Sequence, residues 1–232
     1  MSTGLGAVLL DVDGTLYHQQ PLRALMACEL ALALLTRGPS RTLREIRVLR
    51  AFRIEREHLR ASGRGEELLE RSQYLRAAGA TGVDVEMVRS IVEEWIHQRP
   101  LKYLGWVRRR GCREALSSLA TKGVAVGVFS DYPTSAKVHA LGLGDVVSLH
   151  LCATDGAINA FKPHPAGFLE ACRRWSLAPH AVAYVGDRAD VDVEGARQAG
   201  MRPLVIGRPS ADGFVGFPSF KALARALDSA HP

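Results

Sequence analysis

Two aspartates, Asp11 and Asp13, directly follow the apolar run AVLL at residues 7–10. Residues two apart on an extended chain point the same way, so the two carboxylates are expected to face one site. At about 4 Å and an effective dielectric near 20, two such charges repel by roughly 4 kcal/mol. Something must offset that cost. Taken alone, the stretch either serves catalysis or forms a calcium-binding turn or a polar loop.

Three more polar segments follow apolar runs further along the chain. The residues in these segments that could take part in catalysis or bind a ligand are Ser130, Asp131, Lys162, Asp187, Asp190 and Asp192. Each alone has an ordinary interpretation as a helix cap, a surface lysine or a turn. However, open α/β sheets place their sites at the carboxyl edge of the strands. The repeated placement therefore predicts one shared site.

The elements that must position these residues form an alternating pattern. Apolar runs at 7–10, 124–129, 146–151, 182–185 and 203–206 are typical of strands covered on both faces. Helical patterns at 113–123, 133–144, 165–175 and 193–200 separate most of them. The sequence thus predicts an α/β fold with a doubly wound, Rossmann-like parallel sheet.

About a hundred residues between the first two strands carry almost no strand signal. Breaks rich in Gly, Pro and Ser divide the segment into four expected helices, at about 20–37, 41–61, 65–78 and 84–98. This is too long for a crossover connection, so we predict an inserted all-helical domain. The predicted division gives a core of 1–17 and 103–232 and an insert of 18–102.

Arginine recurs at every third position within the second of these helices. The run comprises Arg41, Arg44, Arg47, Arg50, Arg53 and Arg56. Each step of three shifts by about 60° around a helix, so the residues spiral and form no single stripe. We expect solvated arginines with packed stems. We expect no nucleic-acid partner, since aromatic residues make up only 6% of the chain.

Composition excludes several other classes. The four scattered cysteines show no C-x-x-C spacing, which disfavours a disulfide framework or a zinc site and suits a reducing cytoplasm. No apolar run reaches the length of a membrane span, and the first residues lack the basic leader of a signal peptide. The formal charge of +6 is compatible with an anionic small substrate or with simple compositional bias.

The order of the motifs resembles that of the haloacid dehalogenase superfamily, over the whole chain. DVDGT at 11–15 is similar to the first family motif, Ser130 to the second, Lys162 to the third and GDRADVD at 186–192 to the fourth. Three further segments resemble those of the phosphatase branch with a helical cap, of the phosphoglycolate phosphatase type: VFSDYP, FKPHP and DVEGARQAG. The resemblance implies that the insert is that cap.

The resemblance also implies roles. Asp11 would be the nucleophile that becomes an aspartyl phosphate, and Asp13 the general acid and base. Lys162 would assist catalysis and offset the negative charge. Phosphate would be bound by Ser130, Asp131 and Lys162. A Mg²⁺ ion would be held by Asp11, by the backbone carbonyl of Asp13 and by Asp187.

Several alternatives stay open at this point. The supporting acid of the fourth motif is Asp192 or, in another register, Asp190. The presence of Asp13 disfavours dehalogenation. The insert proper has no lysine, since Lys102 lies near its exit, and this disfavours phosphonate cleavage. A sugar phosphomutase or a non-catalytic phosphate-binding module would use the same core. The favoured prediction is a cytoplasmic, Mg²⁺-dependent phosphatase, monomeric or homodimeric, that hydrolyses a small phosphorylated metabolite such as phosphoglycolate, a nucleotide or a sugar phosphate.

Overall fold

The computed structural model describes residues 4–65, 67–211 and 214–228. One parallel sheet has the strand order β3-β2-β1-β4-β5-β6. The strands are β1 (Ala7–Leu10), β2 (Ala125–Ser130), β3 (Leu149–Cys152), β4 (Val182–Gly186), β5 (Arg202–Ile206) and β6 (Val215–Phe217). Because β1 is central and the chain winds outward from it in both directions, the predicted doubly wound α/β fold is confirmed.

The described residues also form ten α-helices. They are α1 (Gln19–Thr36), α2 (Pro39–Ala61), α3 (Leu69–Thr81), α4 (Val85–Val92), α5 (Leu101–Val107), α6 (Cys112–Thr121), α7 (Ser135–Ala140), α8 (Ala166–Trp175), α9 (Glu194–Gln198) and α10 (Phe220–Asp228), with π-helical turns at Glu93–Gln98 and Ala189–Val193. None of the helices within the described residues is long and apolar enough to cross a membrane.

The side chains of β1 point alternately to the two faces of the sheet, and because both faces are buried, the strand is apolar throughout. Val8 and Leu10 pack in one core cluster with residues of α6 and α10, such as Leu116 and Phe220. Ala7 and Leu9 point to the opposite face and pack in a second cluster with residues of α8 and α9. Both faces of the strand are therefore buried, and no position along it is left for a polar residue until the strand ends.

Helices α1 to α4 and the π-helical turn after them form the insert. Phe52 of α2, Tyr74 of α3, Val88 of α4 and Trp95 of the turn share a third apolar cluster, separate from the two that flank the sheet. The described residues between 19 and 98 contain no strand, as the sequence predicts. The exact division of the chain into domains stays a prediction.

Two chain segments join the insert to the sheet, and they run side by side. Tyr17 and Arg108 form an isolated antiparallel bridge. The His18 N–H donates to the Val107 carbonyl at 2.9 Å, and the Arg109 N–H donates to the Leu16 carbonyl at 2.9 Å. The entry and exit of the insert are thus held together by backbone hydrogen bonds.

The structure adds elements that the sequence pattern did not predict. Strand β6 has only three residues, Val-Gly-Phe, which is too short to give a periodic signal. Helix α10 follows it and buries Phe220, Leu223 and Leu227 against the sheet. In the insert, α3 begins at Leu69 and continues to Thr81, whereas helix was predicted over 65–78; Glu66 lies outside the described residues.

The arginine run is exposed as expected except at its last member. Arg56 is buried, which corrects the expectation that all six are solvated. Its guanidinium lies 4.0 Å from the centre of the Tyr132 ring and 4.4 Å from that of Phe161. It donates to the Asp131 carbonyl at 2.7 Å and to the Gln73 side chain. These acceptors and aromatic faces replace the water that a surface arginine would have.

Glu29 of α1 links the insert to α5. Its carboxylate accepts hydrogen bonds from Arg99 at 2.5 Å and from Tyr103 at 2.5 Å, and it also contacts Lys102. Hydrogen bonds from Lys102 and Tyr103 are the main reason that the pKa of Glu29 falls from its ordinary 4.5 to about 2. A carboxylate with a lowered pKa stabilises the fold above pH 4.5 and loses that contribution as the pH falls towards 2.

We therefore expect Glu29→Gln to lower the free energy of unfolding by about 1 kcal/mol at pH 7, as for a partly exposed ion pair. The difference from the unsubstituted protein should shrink at pH 3. Urea unfolding at both pH values measures it. The matched control is Glu86→Gln, since the mostly exposed Glu86 only approaches Arg89 at 4.0 Å. An equal deficit for Glu29→Gln at both pH values would contradict this account.

Candidate active site

The strand register brings the predicted site residues to one edge of the sheet. Leu10, the last residue of β1, pairs with Val128 of β2 and Val185 of β4. Asp11 therefore leaves the sheet where its two neighbouring strands also end. Its N–H donates to the Val185 carbonyl at 2.9 Å, which extends the strand pairing by one residue.

Asp11 is buried, and its two carboxylate oxygens have different surroundings. Oδ1 accepts a hydrogen bond from Lys162 Nζ at 2.6 Å. Oδ2 is buried and has no hydrogen-bond partner. Burial, reinforced by the nearby carboxylates of Asp192, Asp13 and Asp187 and opposed by Lys162, raises the pKa of Asp11 to about 8. One oxygen is thus anchored while the other is available.

Lys162 is the cation at the centre of the acidic cluster. The residue is only 3% exposed. Besides Asp11, its Nζ contacts Asp192 Oδ1 at 2.7 Å and the Tyr184 hydroxyl at 3.1 Å. Burial alone would lower the pKa of Lys162, but Asp11 and Asp192 raise it well above its ordinary value. One ammonium therefore balances two buried carboxylates.

The two candidate acids of the fourth motif lie in different places. Asp192 is buried, and its Oδ2 accepts hydrogen bonds from the backbone N–H groups of Asp187 at 3.2 Å and Arg188 at 3.1 Å. Gly186 permits this close approach, because a Cβ there would lie 2.4 Å from the Asp192 Cβ. Asp190, with its side chain 65% exposed, pairs with Arg188 at 2.5 Å instead.

Asp187 reaches the first motif through a gap that glycine leaves open. A Cβ on Gly14 would lie 2.4 Å from Asp187 Oδ2, and Gly14 has a φ of +102°. Both facts require glycine at this turn. The other oxygen, Asp187 Oδ1, is buried without a hydrogen-bond partner. Burial and the neighbouring Asp192 raise the pKa of Asp187.

The acidic cluster has the composition of a site for a hard divalent cation. Carboxylate oxygens of Asp11, Asp187 and Asp192 all lie within 4.8 Å of one another. Two of the acids contribute a buried oxygen that no hydrogen-bond donor satisfies. Buried polar atoms normally have partners, and oxygen donors are those that Mg²⁺ binds. The residues present therefore fit a magnesium ion.

Asp13 is held by a separate set of donors. Lys137 Nζ lies 2.6 Å from Oδ1 and 2.8 Å from Oδ2 of this carboxylate. Ser130 Oγ donates to Oδ2 at 3.1 Å, and the Tyr17 hydroxyl donates to Oδ1. Burial alone would raise the pKa of Asp13, but Lys137 and these hydrogen bonds lower it. The repulsion between the two aspartates is thus offset by a different lysine for each.

Asp131 connects the core to the insert. Its Oδ1 accepts from the Lys162 N–H at 3.2 Å, and its Oδ2 pairs with Arg60 of α2 at 2.7 Å. Arg60 also donates to the Lys162 carbonyl at 2.5 Å. Burial would raise the pKa of Asp131, but Lys162, Arg60 and Arg56 lower it. Asp131 therefore contacts two insert arginines, Arg60 through its carboxylate and Arg56 through its backbone carbonyl.

The family assignment follows from a comparison of the sequence. The profile of the haloacid dehalogenase-like hydrolases matches residues 5–200. The chain belongs to this family. It is therefore an enzyme of the hydrolase class, and the resemblance seen in its motifs is confirmed.

Several known proteins are similar to this haloacid dehalogenase-like hydrolase. A glyceraldehyde 3-phosphate phosphatase of Methanopyrus kandleri is 30% identical over 204 residues, which cover 87% of this chain and 84% of that protein. A phosphoserine phosphatase of Thermus thermophilus is 30% identical over 143 residues, 58% of this chain and 53% of the other. A solved 2-haloacid dehalogenase of Pseudomonas syringae superposes with a TM-score of 0.68 at 25% identity, covering 97% and 99% of the two chains.

In this hydrolase, a cavity of about 300 Å³ lies between the insert and the loops after β2 and β3. Residues from both sides line it, among them Arg56, Gln73, Arg89, His97, Pro133 and Thr154. His97 lies on the π-helical turn, 6.0 Å from the Tyr132 ring. Burial and the nearby Lys137 lower the pKa of His97 to about 4, so its imidazole is neutral at pH 7.

Sequence reasoning did not find four residues that contact the site: Tyr17, Arg60, Lys137 and Tyr184. Tyr184 sits inside a predicted strand and is indistinguishable there from an apolar core residue. Lys137 lies on a short helix with no motif around it. Arg60 lies four residues after Arg56, one helical turn on, so it belongs to the same face of α2. That spacing is the one sequence signal among the four.

Proposed function

We propose that the protein is a Mg²⁺-dependent phosphatase that hydrolyses small organic phosphate monoesters through an aspartyl-phosphate intermediate on Asp11. The observation that carries this proposal is the asymmetric environment of Asp11. Lys162 anchors one oxygen, and the other is buried, unpartnered and surrounded by acids that suit a divalent cation. The phosphatase names of the two relatives support the same reaction class.

Asp11 is the nucleophile in this proposal. A carboxylate oxygen of Asp11 attacks phosphorus, and the bond from phosphorus to the leaving-group oxygen breaks. Lys162 fixes the carboxylate through Oδ1, so that the free oxygen keeps one direction. A covalent intermediate divides one difficult displacement into two easier ones.

Asp13 moves the protons. In the first half-reaction its carboxyl proton goes to the leaving-group oxygen, which departs as an alcohol. In the second, Asp13 takes a proton from water, whose oxygen attacks phosphorus and breaks its bond to Asp11. Inorganic phosphate and the original carboxylate result. A dehalogenase releases a halide and needs no such proton, so the presence of Asp13 favours phosphoester hydrolysis.

Asp11, Asp187 and the backbone carbonyl of Asp13 would hold the magnesium ion. Bound there, the ion supplies positive charge that masks the substrate phosphate and the clustered acids. Asp192 supports the site without being one of these ligands. It binds Lys162 and accepts the backbone N–H groups of residues 187 and 188, which fixes the loop that carries Asp187.

The remaining phosphate contacts come from the end of β2 and from Lys162. Ser130 Oγ lies next to Asp13 and also accepts the Tyr132 N–H at 3.2 Å. The Asp131 carboxylate is occupied by Arg60, so the residue offers phosphate its backbone N–H and not its side chain. The cavity beside the insert receives the leaving group, and its size suits a small metabolite.

Asp187→Asn should raise the Mg²⁺ concentration needed for half-maximal activity by about tenfold or more, because it removes a charged oxygen donor. The measurement is phosphate release against a Mg²⁺ titration. Asp190→Asn on the same loop is the matched control and should leave the titration unchanged, since Asp190 faces solvent. An unaltered titration for Asp187→Asn would remove this residue from the metal site.

The proposal is tested by phosphate release from p-nitrophenyl phosphate and a panel of small esters. The panel includes phosphoglycolate, glyceraldehyde 3-phosphate, phosphoserine, a nucleoside monophosphate and a hexose phosphate. Release is expected with Mg²⁺ and should stop when a chelator is added. Release that persists in chelator would contradict the metal requirement. Absence of release from every ester, with phosphoryl transfer between sugar positions instead, would favour a phosphomutase.

A further inference from the structure

A second buried lysine contacts the site, and the proposed mechanism gives it no role. Lys137 lies on α7, shortly after Ser130 at the end of β2, and is 5% exposed. Its Nζ contacts both oxygens of Asp13, at 2.6 and 2.8 Å. Throughout the residues that the structure describes, Asp13 is the carboxylate with which Lys137 forms an ion pair.

Stability alone does not account for this ion pair. Removing two charges from water costs free energy that their attraction often fails to recover, and an apolar pair of similar volume is frequently as stable. The Tyr132 ring, centred 5.0 Å from the Lys137 ammonium, gives a further contact that also favours a cation in this position. We therefore attribute to this ion pair a role in orienting Asp13 and not only in stabilising the fold.

The contacts fix the Asp13 carboxyl group in space. Lys137 spans both oxygens, while Ser130 and the Tyr17 hydroxyl each contact one of them. A carboxyl group held by donors on both oxygens cannot rotate freely about its bond to Cβ. Proton transfer requires the carboxyl group to lie within hydrogen-bond reach of the leaving-group oxygen. A displacement of about 1 Å can cost on the order of a hundredfold in rate.

We propose that Lys137 is a positioning residue, which holds Asp13 in the orientation needed to protonate the leaving group. The inference rests on the proposed phosphatase function. In the step concerned, the bond from Asp11 to phosphorus forms, the bond to the leaving-group oxygen breaks, and the Asp13 proton moves to that oxygen. Lys137 keeps its own protons and acts only through Asp13.

The dependence on the leaving group tests this proposal. The value of kcat/KM covers the steps up to departure of the leaving group, so it does not include the later attack of water. An alkyl phosphate needs the proton from Asp13, whereas p-nitrophenolate departs without it. Lys137→Met should lower kcat/KM for an alkyl phosphate by about a hundredfold and for p-nitrophenyl phosphate by less than about tenfold. Lys137→Arg should recover part of the alkyl activity.

A double-mutant cycle separates orientation from other effects. In an Asp13→Asn background, adding Lys137→Met should cause no further loss with the alkyl phosphate, because the group through which Lys137 acts is gone. Equal losses on both substrates, or a full further loss in that background, would overturn the proposal. If Lys137→Met does not fold, Lys137→Gln, which keeps hydrogen-bond donors, carries the same comparison.

Failure of this inference is distinguishable from failure of the proposed function. A protein without Mg²⁺-dependent phosphate release from either substrate lacks the proposed activity altogether. A protein that hydrolyses both substrates, but whose Lys137 variants lose both equally, is a phosphatase in which Lys137 does not position the acid. The exposed Lys221 supplies a control, since Lys221→Met should leave both values unchanged.

Discussion

Asp11→Asn should abolish phosphate release, with a loss of at least about a thousandfold, while the protein stays folded. The amide has the shape of the carboxyl group but cannot attack phosphorus. The side-chain oxygen of asparagine can still accept the hydrogen bond that Lys162 donates to Asp11 Oδ1, so the substitution keeps the anchoring contact. Lys162 keeps its other carboxylate partner, Asp192, at 2.7 Å.

The measurement combines steady-state phosphate release with thermal unfolding. Asp190→Asn is the matched control, because it makes the same chemical change at an exposed acid of the neighbouring loop. It should keep nearly full activity. An Asp11→Asn protein that folds and still turns over at more than a small fraction of the original rate would remove Asp11 as the nucleophile.

Lys162→Met should cause the largest combined loss of stability and activity. The substitution leaves the buried carboxylates of Asp11 and Asp192 without their shared cation, and the Tyr184 hydroxyl without its contact to it. Removing one partner from a buried ion pair typically costs about 3–5 kcal/mol. Activity should fall as well, because the nucleophile loses the group that anchors its Oδ1.

Urea unfolding in the presence of a chelator measures the stability loss without a contribution from bound metal. Lys221→Met provides the control for the loss of a lysine, and a change within about 0.5 kcal/mol is expected at that exposed position. Adding Asp192→Asn to Lys162→Met should recover part of the loss, since one of the two uncompensated charges is then absent. Unchanged stability of Lys162→Met would show that the acids do not depend on this cation.

Much of the core could be predicted from sequence because burial on both faces leaves a direct signature. The apolar runs correspond to β1, β2, β4 and β5, and the polar residues that follow them meet at one edge of the sheet. For β3, only the second half of the predicted run at 146–151 is strand, and the observed strand ends at Cys152. The insert could also be predicted, because a long segment with a helical pattern separates the first two strands.

Long-range contacts between side chains could not be predicted in the same way. Nothing in the sequence around Lys137 indicates that its ammonium reaches Asp13, which is 124 positions away. Likewise, Arg56 belongs to a run of similar arginines, and only the packing of α2 against the loop after β2 separates it from its exposed neighbours. The choice between Asp190 and Asp192 also depended on packing, because Gly186 admits one of them and the other faces solvent.

The structure answers why two aspartates can stand side by side at the end of a buried strand. Lys162 pairs with Asp11, and Lys137 pairs with Asp13. Each acid therefore has its own cation and its own hydrogen-bond environment. Burial raises the pKa of Asp11, whereas Lys137 and its companion donors lower that of Asp13 despite burial.

Trapping the covalent intermediate tests the central claim most directly. Asp13→Asn should still release p-nitrophenolate, which needs no proton, but should hydrolyse the phosphoryl enzyme slowly. With Mg²⁺ and p-nitrophenyl phosphate, we expect a burst of about one p-nitrophenolate per enzyme. Mass spectrometry after an acid quench should then find the phosphoryl group on the peptide that contains Asp11. A phosphoryl group on another residue, or steady turnover with no burst and no phosphorylated peptide, would contradict the account.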